Sequence, residues 1–290
     1  MAESVDALVS NTSGAIRAGS TPAQGTELEI FTQRVSFSIL TPSQLIGLLI
    51  DKFKHLVERI GSILCESKKV LNLRMKKLTI KSLLREAKQF CNQISGVYKP
   101  ELFGITDGKA IGTYVEHLFQ DFLSQSYDLK KGNSAMGLDL PSISTDIKVT
   151  SVRQPQSSCP FKSSKQKIFG LGYNLILFVY KKEDDAMDKM GKLDIVSCKF
   201  VDASRTADFQ ITTGLHNIIN NNGNQDDIFA FLADHNIPAD ETTLYNMAGE
   251  ILNNPPEIGY LTISNALQWR LQYGRVVSLI DSIEGIKTIR

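Results

Sequence analysis

The stretch GLDLPSISTDIKVT, residues 137–150, decides the fold because the periodicity of the chain changes there. Before it, KAIGTYVEHLFQDFLSQS (109–126) places apolar residues three and four positions apart, as one face of a helix does. MGLDL (136–140) and TDIKVTSV (145–152), which overlap its two ends, are short extended runs on either side of Pro141, and the second alternates as a strand does. We therefore predict a hairpin or a pair of sequential strands here.

The segments around this stretch predict a sheet covered by helices. YNLILFVYKK (173–182) is an almost wholly apolar run, typical of a strand buried on both faces, and LDIVSCKFVD (193–202) predicts a further strand. Helical patterns begin at Thr41 and continue over 68–95, and they return beyond residue 205 in DDIFAFLADHN, ETTLYNMAGEIL and NALQWRLQYGRVVSLI. This order predicts an α/β protein (mixed α+β) with a central mixed β-sheet flanked by helices.

Composition and charge divide the chain into four regions. Residues 1–33 are rich in Ser, Thr, Ala and Gly and predict a mobile arm, and residues 34–100 form a basic helical region. Residues 101–205 contain the predicted strands, and residues 206–290 form a C-terminal helical region. Residues 51–100 carry 12 Lys or Arg against 4 Asp or Glu, although the net charge of the whole chain is only +1. Such a concentration indicates a polyanionic partner, and a solvated helical face is the alternative.

Several protein classes are excluded by composition and motifs. No uncharged apolar run reaches the ~18 residues that a membrane span needs, so we exclude an integral membrane protein. The first residues lack the pattern of an export signal, and we expect a cytoplasmic protein. The four cysteines are irregularly spaced, which fits neither a disulfide framework nor a zinc site. The HExxH, GxSxG and GxxxxGK[ST] motifs are absent, so zinc hydrolase, α/β-hydrolase and P-loop chemistry lack support.

Acidic residues and a lysine meet in the stretch 137–150. Asp146 and Lys148 are two residues apart on the predicted strand and share a face, while Ile147 points into the core. Asp139 precedes them and can bring its carboxylate to the same place. Two carboxylates and the main-chain carbonyl of Ile147 make an oxygen site that suits Mg²⁺. The Lys148 ammonium can hold a phosphate or orient an attacking water.

This arrangement resembles the signature of the PD-(D/E)XK nucleases. Asp139 stands in the place of the first acid, with Leu138 where the pattern often has Pro, and Asp146 replaces the commoner Glu. The six-residue gap is similar to that of type II restriction endonucleases and of MutH-like nicking enzymes. In that family a glutamate on a preceding helix often completes the cluster, and Glu116 stands in the matching place. The resemblance covers about residues 105–200 and implies a restriction-endonuclease-like nuclease core over 101–205.

The resemblance implies a type II restriction endonuclease that hydrolyses double-stranded DNA with Mg²⁺, for which Mn²⁺ is expected to substitute. In this interpretation Asp139, Asp146 and the Ile147 carbonyl bind the metal, Lys148 positions or activates water, and Glu116 assists. A homodimer is implied by symmetric DNA sites. The C-terminal region, 206–290, is then a candidate for DNA recognition. Two alternatives stay open: a repair or structure-specific nuclease with the same chemistry, and a non-catalytic DNA-binding protein.

Two further groups of residues remain undecided from the sequence. Lys162, Lys165 and Lys167 lie where a second catalytic lysine or a phosphate contact can sit, although a solvated face is the simpler interpretation. The segment QWRLQYGR (268–275) joins the single tryptophan to arginines that can contact bases or DNA backbone. Core packing of that tryptophan is the alternative.

Overall fold

The structure, a computed structural model, describes residues 41, 46–47, 49–62, 75–129, 137–264 and 269–290. The chain forms two compact units, Met1–Ile63 and Leu64–Arg290. In the first unit, α1 (49–62) confirms the helix that the sequence predicts after Thr41. The predicted arm over 1–33 lies outside the described residues. No helix among the described residues is long and apolar enough to cross a membrane.

The second unit mixes helices and strands along its length. Short 3-10 turns occupy Pro100–Leu102, Pro141–Ile143 and Ala203–Arg205. The helices and strands follow in this order: α2 (Ile80–Ile94), β1 (Val97–Lys99), α3 (Gly108–Ser124), β2 (Thr145–Ser151), β3 (Gln156–Cys159), α4 (Lys165–Phe169), β4 (Asn174–Asp185), β5 (Met190–Val201), α5 (Phe209–Asn220), α6 (Gln225–Asp234), α7 (Glu241–Asn253), β6 (Thr262–Ser264), β7 (Trp269–Gln272), α8 (Gly274–Val277) and β8 (Ile286–Thr288).

A five-stranded mixed sheet forms the centre of this unit. Its strand order is β1-β5-β4-β2, and β8 also pairs with β5. β2 runs parallel to β4, whereas the other pairs are antiparallel. All residues from Asn174 to Tyr180 in β4 are buried, which confirms that this apolar run is an inner strand. The predicted fold class, a mixed sheet flanked by helices, is confirmed.

The two faces of β4 pack against different layers. On one face, the Phe178 ring lies 4.9 Å from that of Phe119 in α3 and 5.7 Å from that of Phe90 in α2. On the other face, Leu175 and Leu177 pack beneath a second, three-stranded sheet of order β3-β7-β6. The central sheet is therefore covered by helices on one side and by a smaller sheet on the other.

Local capping explains where the first two helices of this unit begin. The Thr79 and Ser82 side chains each accept the other residue's backbone N–H, which forms a capping box at α2. The Asp107 carboxylate accepts the backbone N–H groups of Lys109 and Ala110 at the start of α3. The sequence prediction of a helix over 109–126 is confirmed by α3.

The predicted two-stranded hairpin around Pro141 is wrong in its first half. MGLDL does not form a strand in the residues described, and only Leu140 makes an isolated bridge to Thr145. Pro141 begins a 3-10 turn, and Ser144 follows with a left-handed φ of 47°. Beyond that bridge the Ile147 N–H donates to the Asp139 side chain and not to a main-chain carbonyl, so the ladder does not continue. The second run, β2, is a strand as predicted.

The helix predicted over NALQWRLQYGRVVSLI is also wrong for residues 269–272, and its first four residues, 265–268, lie outside the described residues. Residues 269–272 form β7, and the helical part is the short α8. Trp269, Leu271 and Tyr273 are buried while the residues between them are exposed, which is the two-residue period of a strand. Pairing of β7 on both sides, with β3 and β6, stabilises the extended form.

The predicted helices before this segment are confirmed by α6 and α7. They pack with α5, which the sequence analysis did not identify, into a separate apolar cluster. Residues 206–290 thus contain these helices together with the strands β6, β7 and β8.

Candidate active site

Asp139 lies in the loop before β2 and is held against that strand. Its Oδ2 accepts the backbone N–H of Ile147 at 2.8 Å. Six residues separate the two acids in sequence, and the turn at Pro141–Ile143 folds this segment back beside the strand. The structure therefore brings Asp139 beside β2 from a loop, and not from the adjacent strand that the sequence predicts.

Asp146 and Lys148 point to one face of β2 and form an ion pair. The Lys148 Nζ lies 2.7 Å from the Asp146 Oδ2, and the two side chains are only 20% and 7% exposed. Ile147, between them, is buried in the apolar layer against α2 and α3. An ion pair with so little solvent around it holds both groups in fixed positions.

The two aspartates interact with each other, and their surroundings favour the protonated form of each. Burial, reinforced by a hydrogen bond with Asp139, raises the pKa of Asp146 from 3.8 to about 7. Burial also raises the pKa of Asp139, although the hydrogen bonds from Asp146 and from the Ile147 N–H partly oppose this. Near neutral pH, Asp146 is therefore partly protonated.

Lys148 remains protonated beside these carboxylates. Its burial disfavours the ammonium form, but the negative charge and hydrogen bond of Asp146 outweigh burial and raise the pKa of Lys148. A protonated ammonium can donate hydrogen bonds to phosphate or water oxygens, and it cannot accept a proton.

Glu116 lies on α3 and is half-buried. Its charge and a hydrogen bond are among the causes that raise the pKa of Asp139. The structure therefore brings Glu116 within interaction range of the first aspartate, from the helix that covers the opposite side of β2.

The donor chemistry of this cluster fits a hard divalent cation. The two carboxylates in contact keep raised pKa values although the Lys148 ammonium pairs with one of them, so one positive charge is not enough to keep both ionised. A divalent cation between them would supply the further positive charge, and oxygen donors are the ligands that Mg²⁺ prefers. Across the part of the chain that the structure describes, no group of three His, Cys, Asp or Glu side chains is already arranged around a metal position.

The three lysines left undecided by the sequence lie in different environments. Lys162 is exposed, and Lys165 forms an ion pair with Glu250 of α7. Lys167 is buried, and burial lowers its pKa although the charge of Asp208 opposes this. Lys165 is therefore directed to the C-terminal helices.

Aromatic and thiol groups lie behind the ion pair, and the sequence analysis did not place them there. The Cys159 Sγ lies 3.3 Å from the Tyr173 Oη, and the Ser157 Oγ lies 2.5 Å from the Tyr273 Oη. Burial raises the pKa of both tyrosines, and the charge of Asp146 raises both further. Alternation in QWRLQY was the signal that could have placed Tyr273 on the inner side of a strand.

The basic segment before residue 100 is in part a solvent-facing surface. Lys76, Lys77, Lys81 and Lys88 are exposed, whereas Arg85 pairs with Glu86 at 2.8 Å. Residues 63–74, which carry three further basic side chains, lie outside the described residues. The described lysines are available to a polyanion.

Comparison with known proteins gives a consistent family match. A family model described as Type II restriction enzyme NspV matches residues 77–288. A curated protein named Type II restriction enzyme NspV, from Nostoc sp. (strain ATCC 29411 / PCC 7524), is 54% identical over 212 residues, which cover 73% of this chain and 96% of that protein. No solved structure shows a significant match to the chain.

Proposed function

Because the chain belongs to the NspV family of type II restriction enzymes, we propose that it cleaves double-stranded DNA at specific sequences with a divalent metal ion. The catalytic site would lie at the start of β2, where Asp139 and Asp146 form an acidic cluster. Family membership confirms the sequence-based assignment to the type II restriction endonucleases. The acidic cluster would bind the metal ion, and the basic surface before residue 100 would contact the DNA backbone.

One observation carries the assignment of the site: Asp139, Asp146 and Lys148 converge on one end of β2. Asp139 is held by the Ile147 N–H at 2.8 Å, and Lys148 pairs with Asp146 at 2.7 Å. A surface ion pair would leave both groups solvated with ordinary pKa values. Here Asp146 is buried and its pKa is about 7, as expected of a functional carboxylate pair.

Each residue has a distinct role in this proposal. Asp139, Asp146 and the main-chain carbonyl of Ile147 would hold Mg²⁺, for which Mn²⁺ would substitute. A divalent cation at this position would neutralise the charge that develops on the phosphate during in-line displacement. Lys148 stays protonated and donates hydrogen bonds to a phosphate oxygen or to the attacking water. Glu116 would assist through the metal or a water, and its charge is among the causes that raise the pKa of Asp139.

The remaining surfaces suit the same substrate. The exposed lysines of α2 and of the segment before it would contact phosphates without encoding sequence. We propose a homodimer because a two-fold assembly matches a symmetric DNA site. We also propose a cytoplasmic location, since the enzyme must reach its DNA substrate.

Cleavage of plasmid DNA tests the site assignment. The wild-type protein should produce discrete fragments with Mg²⁺ or Mn²⁺ and none with a chelator, and Asp146→Ala and Asp139→Ala should produce none. Asp121→Asn, which alters an exposed carboxylate on α3, is the matched control and should cut like the wild type. Undiminished cutting by either alanine variant would contradict the proposed roles.

A further inference from the structure

The small sheet β3-β7-β6 has one face built only of hydrogen-bonding side chains. Residues in register across neighbouring strands point to the same face, and residues two apart along a strand do so too. The register of the sheet therefore places two rows of exposed or half-exposed residues on its outer face: Gln156, Gln272 and Thr262 in one row, and Ser158, Arg270 and Ser264 in the other.

The inner face of the small sheet anchors it to the core. Trp269, Leu271 and Ile263 are buried in the apolar cluster beneath it. Hydrogen bonds between Ser157 and Tyr273 and between Cys159 and Tyr173 join the same face to its surroundings. The outer face is therefore displayed on a rigid support.

The polar groups of the outer face are not engaged within the protein. Among the described residues, none of the six side chains makes a hydrogen bond or ion pair. The face contains no carboxylate, and Arg270 is its single charge. Strands in general are enriched in β-branched and aromatic residues. Five of these six residues instead offer hydrogen-bond donors and acceptors on Gln, Ser or Arg side chains.

This face lies on the same side of the central sheet as the acidic cluster. Asp146 pairs in register with Leu175 and Lys148 with Leu177, so the four side chains point to one side. Both leucines pack beneath the small sheet. Four residues, 152–155, connect the catalytic strand β2 to β3, so the small sheet cannot shift without moving that strand.

We propose that the outer face of the small sheet reads base edges in the major groove of the DNA, an inference that rests on the proposed DNA cleavage. The major groove is about 12 Å wide and admits a β-ribbon, whose strands are about 4.8 Å apart. Arg side chains pair with guanine and Gln side chains with adenine through two hydrogen bonds each. The central strand β7 carries Arg270 and Gln272, which are the principal specificity residues, with Gln156 beside them.

Selection from a pool of random-sequence duplexes tests this face independently of cutting. The selection uses Lys148→Ala as the background, which leaves the small sheet intact and the DNA uncut, in Mg²⁺. Arg270→Ala, the double variant Gln156→Ala/Gln272→Ala, and Lys77→Ala are added to it. Fragment ends from genomic DNA cut by the corresponding variants with Lys148 intact give a second readout.

The background protein should enrich one sequence, and the sheet variants should lose preference at particular base pairs. Discrimination against a single substituted pair should fall by roughly 5- to 150-fold for each bidentate hydrogen-bond pair removed. Lys77→Ala, on the basic surface, should weaken binding to all sequences alike. Unchanged preference in both sheet variants, or a background that enriches no sequence, would overturn this inference. Absence of metal-dependent cutting by the wild type would instead overturn the proposed function, because the selection does not depend on cutting.

Discussion

Replacing Asp146 with Asn should stabilise the metal-free protein while abolishing cleavage. The pKa of Asp146 lies at about 7 in the folded protein, against an ordinary 3.8, because burial and the Asp139 contact disfavour its charge. One unit of pKa corresponds to about 1.4 kcal/mol, so ionised Asp146 destabilises the fold by on the order of 4 kcal/mol. The raised pKa therefore contributes stability that is fully present below pH ~4 and is lost as pH rises through about 7. Asn cannot ionise and should escape that loss.

Urea denaturation in EDTA, at a series of pH values, measures this difference. Trp269 is the single tryptophan and is buried, so its fluorescence reports unfolding. The free energies of unfolding of Asp146→Asn and wild type should agree near pH 4 and diverge by several kcal/mol at pH 8 to 9.

The titratable groups that face Asp146 are present in both proteins: Asp139, Lys148, Tyr173 and Tyr273, with Glu116 acting through Asp139. The Asp146 charge raises the pKa values of Lys148 and of both tyrosines, so the substitution changes their titrations too. The midpoint of the stability difference, near pH 7, identifies the contribution of Asp146 itself. Asp121→Asn, at an exposed position, should track the wild type at every pH. A stability difference that does not change with pH would refute the electrostatic reasoning.

Further substitutions test the other parts of the molecule. Lys148→Ala should lose DNA cleavage yet retain DNA affinity in a gel-shift assay, since the lysine acts at the reacting phosphate. Loss of binding would show that Lys148 contributes to DNA affinity. Charge reversal of Lys77 and Lys81 should lower the affinity for all DNA duplexes alike. The slope of log affinity against log salt concentration should flatten by about 0.9 for each phosphate that the protein no longer neutralises. An unaltered slope would show that these lysines face only solvent. Glu116→Gln should raise the melting temperature in EDTA, because it removes a negative charge that disfavours ionised Asp139, and an unchanged value would separate Glu116 from the cluster. Asp208→Ala should lower the free energy of unfolding by about 2 to 4 kcal/mol, because two buried N–H groups would lose their acceptor. The Asp208 carboxylate is buried and accepts the Ile211 N–H at 3.0 Å and the Ile263 N–H at 2.7 Å. A urea midpoint like that of the wild type would contradict this prediction.

Short-range periodicity let the sequence alone place Asp146 and Lys148 on one face of a strand. Asp146, Ile147 and Lys148 are consecutive on one strand, so the two-residue period of a strand by itself separates the charged pair from the core residue. The apolar run of β4 likewise required burial on both faces and hence an inner strand. The helices α3, α6 and α7 follow from their own periodicity and capping residues.

Pairing between distant segments was decided only by the tertiary structure. The QWRLQY segment has both helical and strand character in sequence, and contact with β3, more than a hundred residues earlier, selected the strand. The same pairing set Arg270 and Gln272 beside Gln156. The raised pKa of Asp146 depends on burial beneath side chains from several elements, and no local pattern encodes that desolvation. Contacts between residues far apart in sequence determine strand pairing and solvent exclusion, and for that reason a single sequence leaves both undetermined.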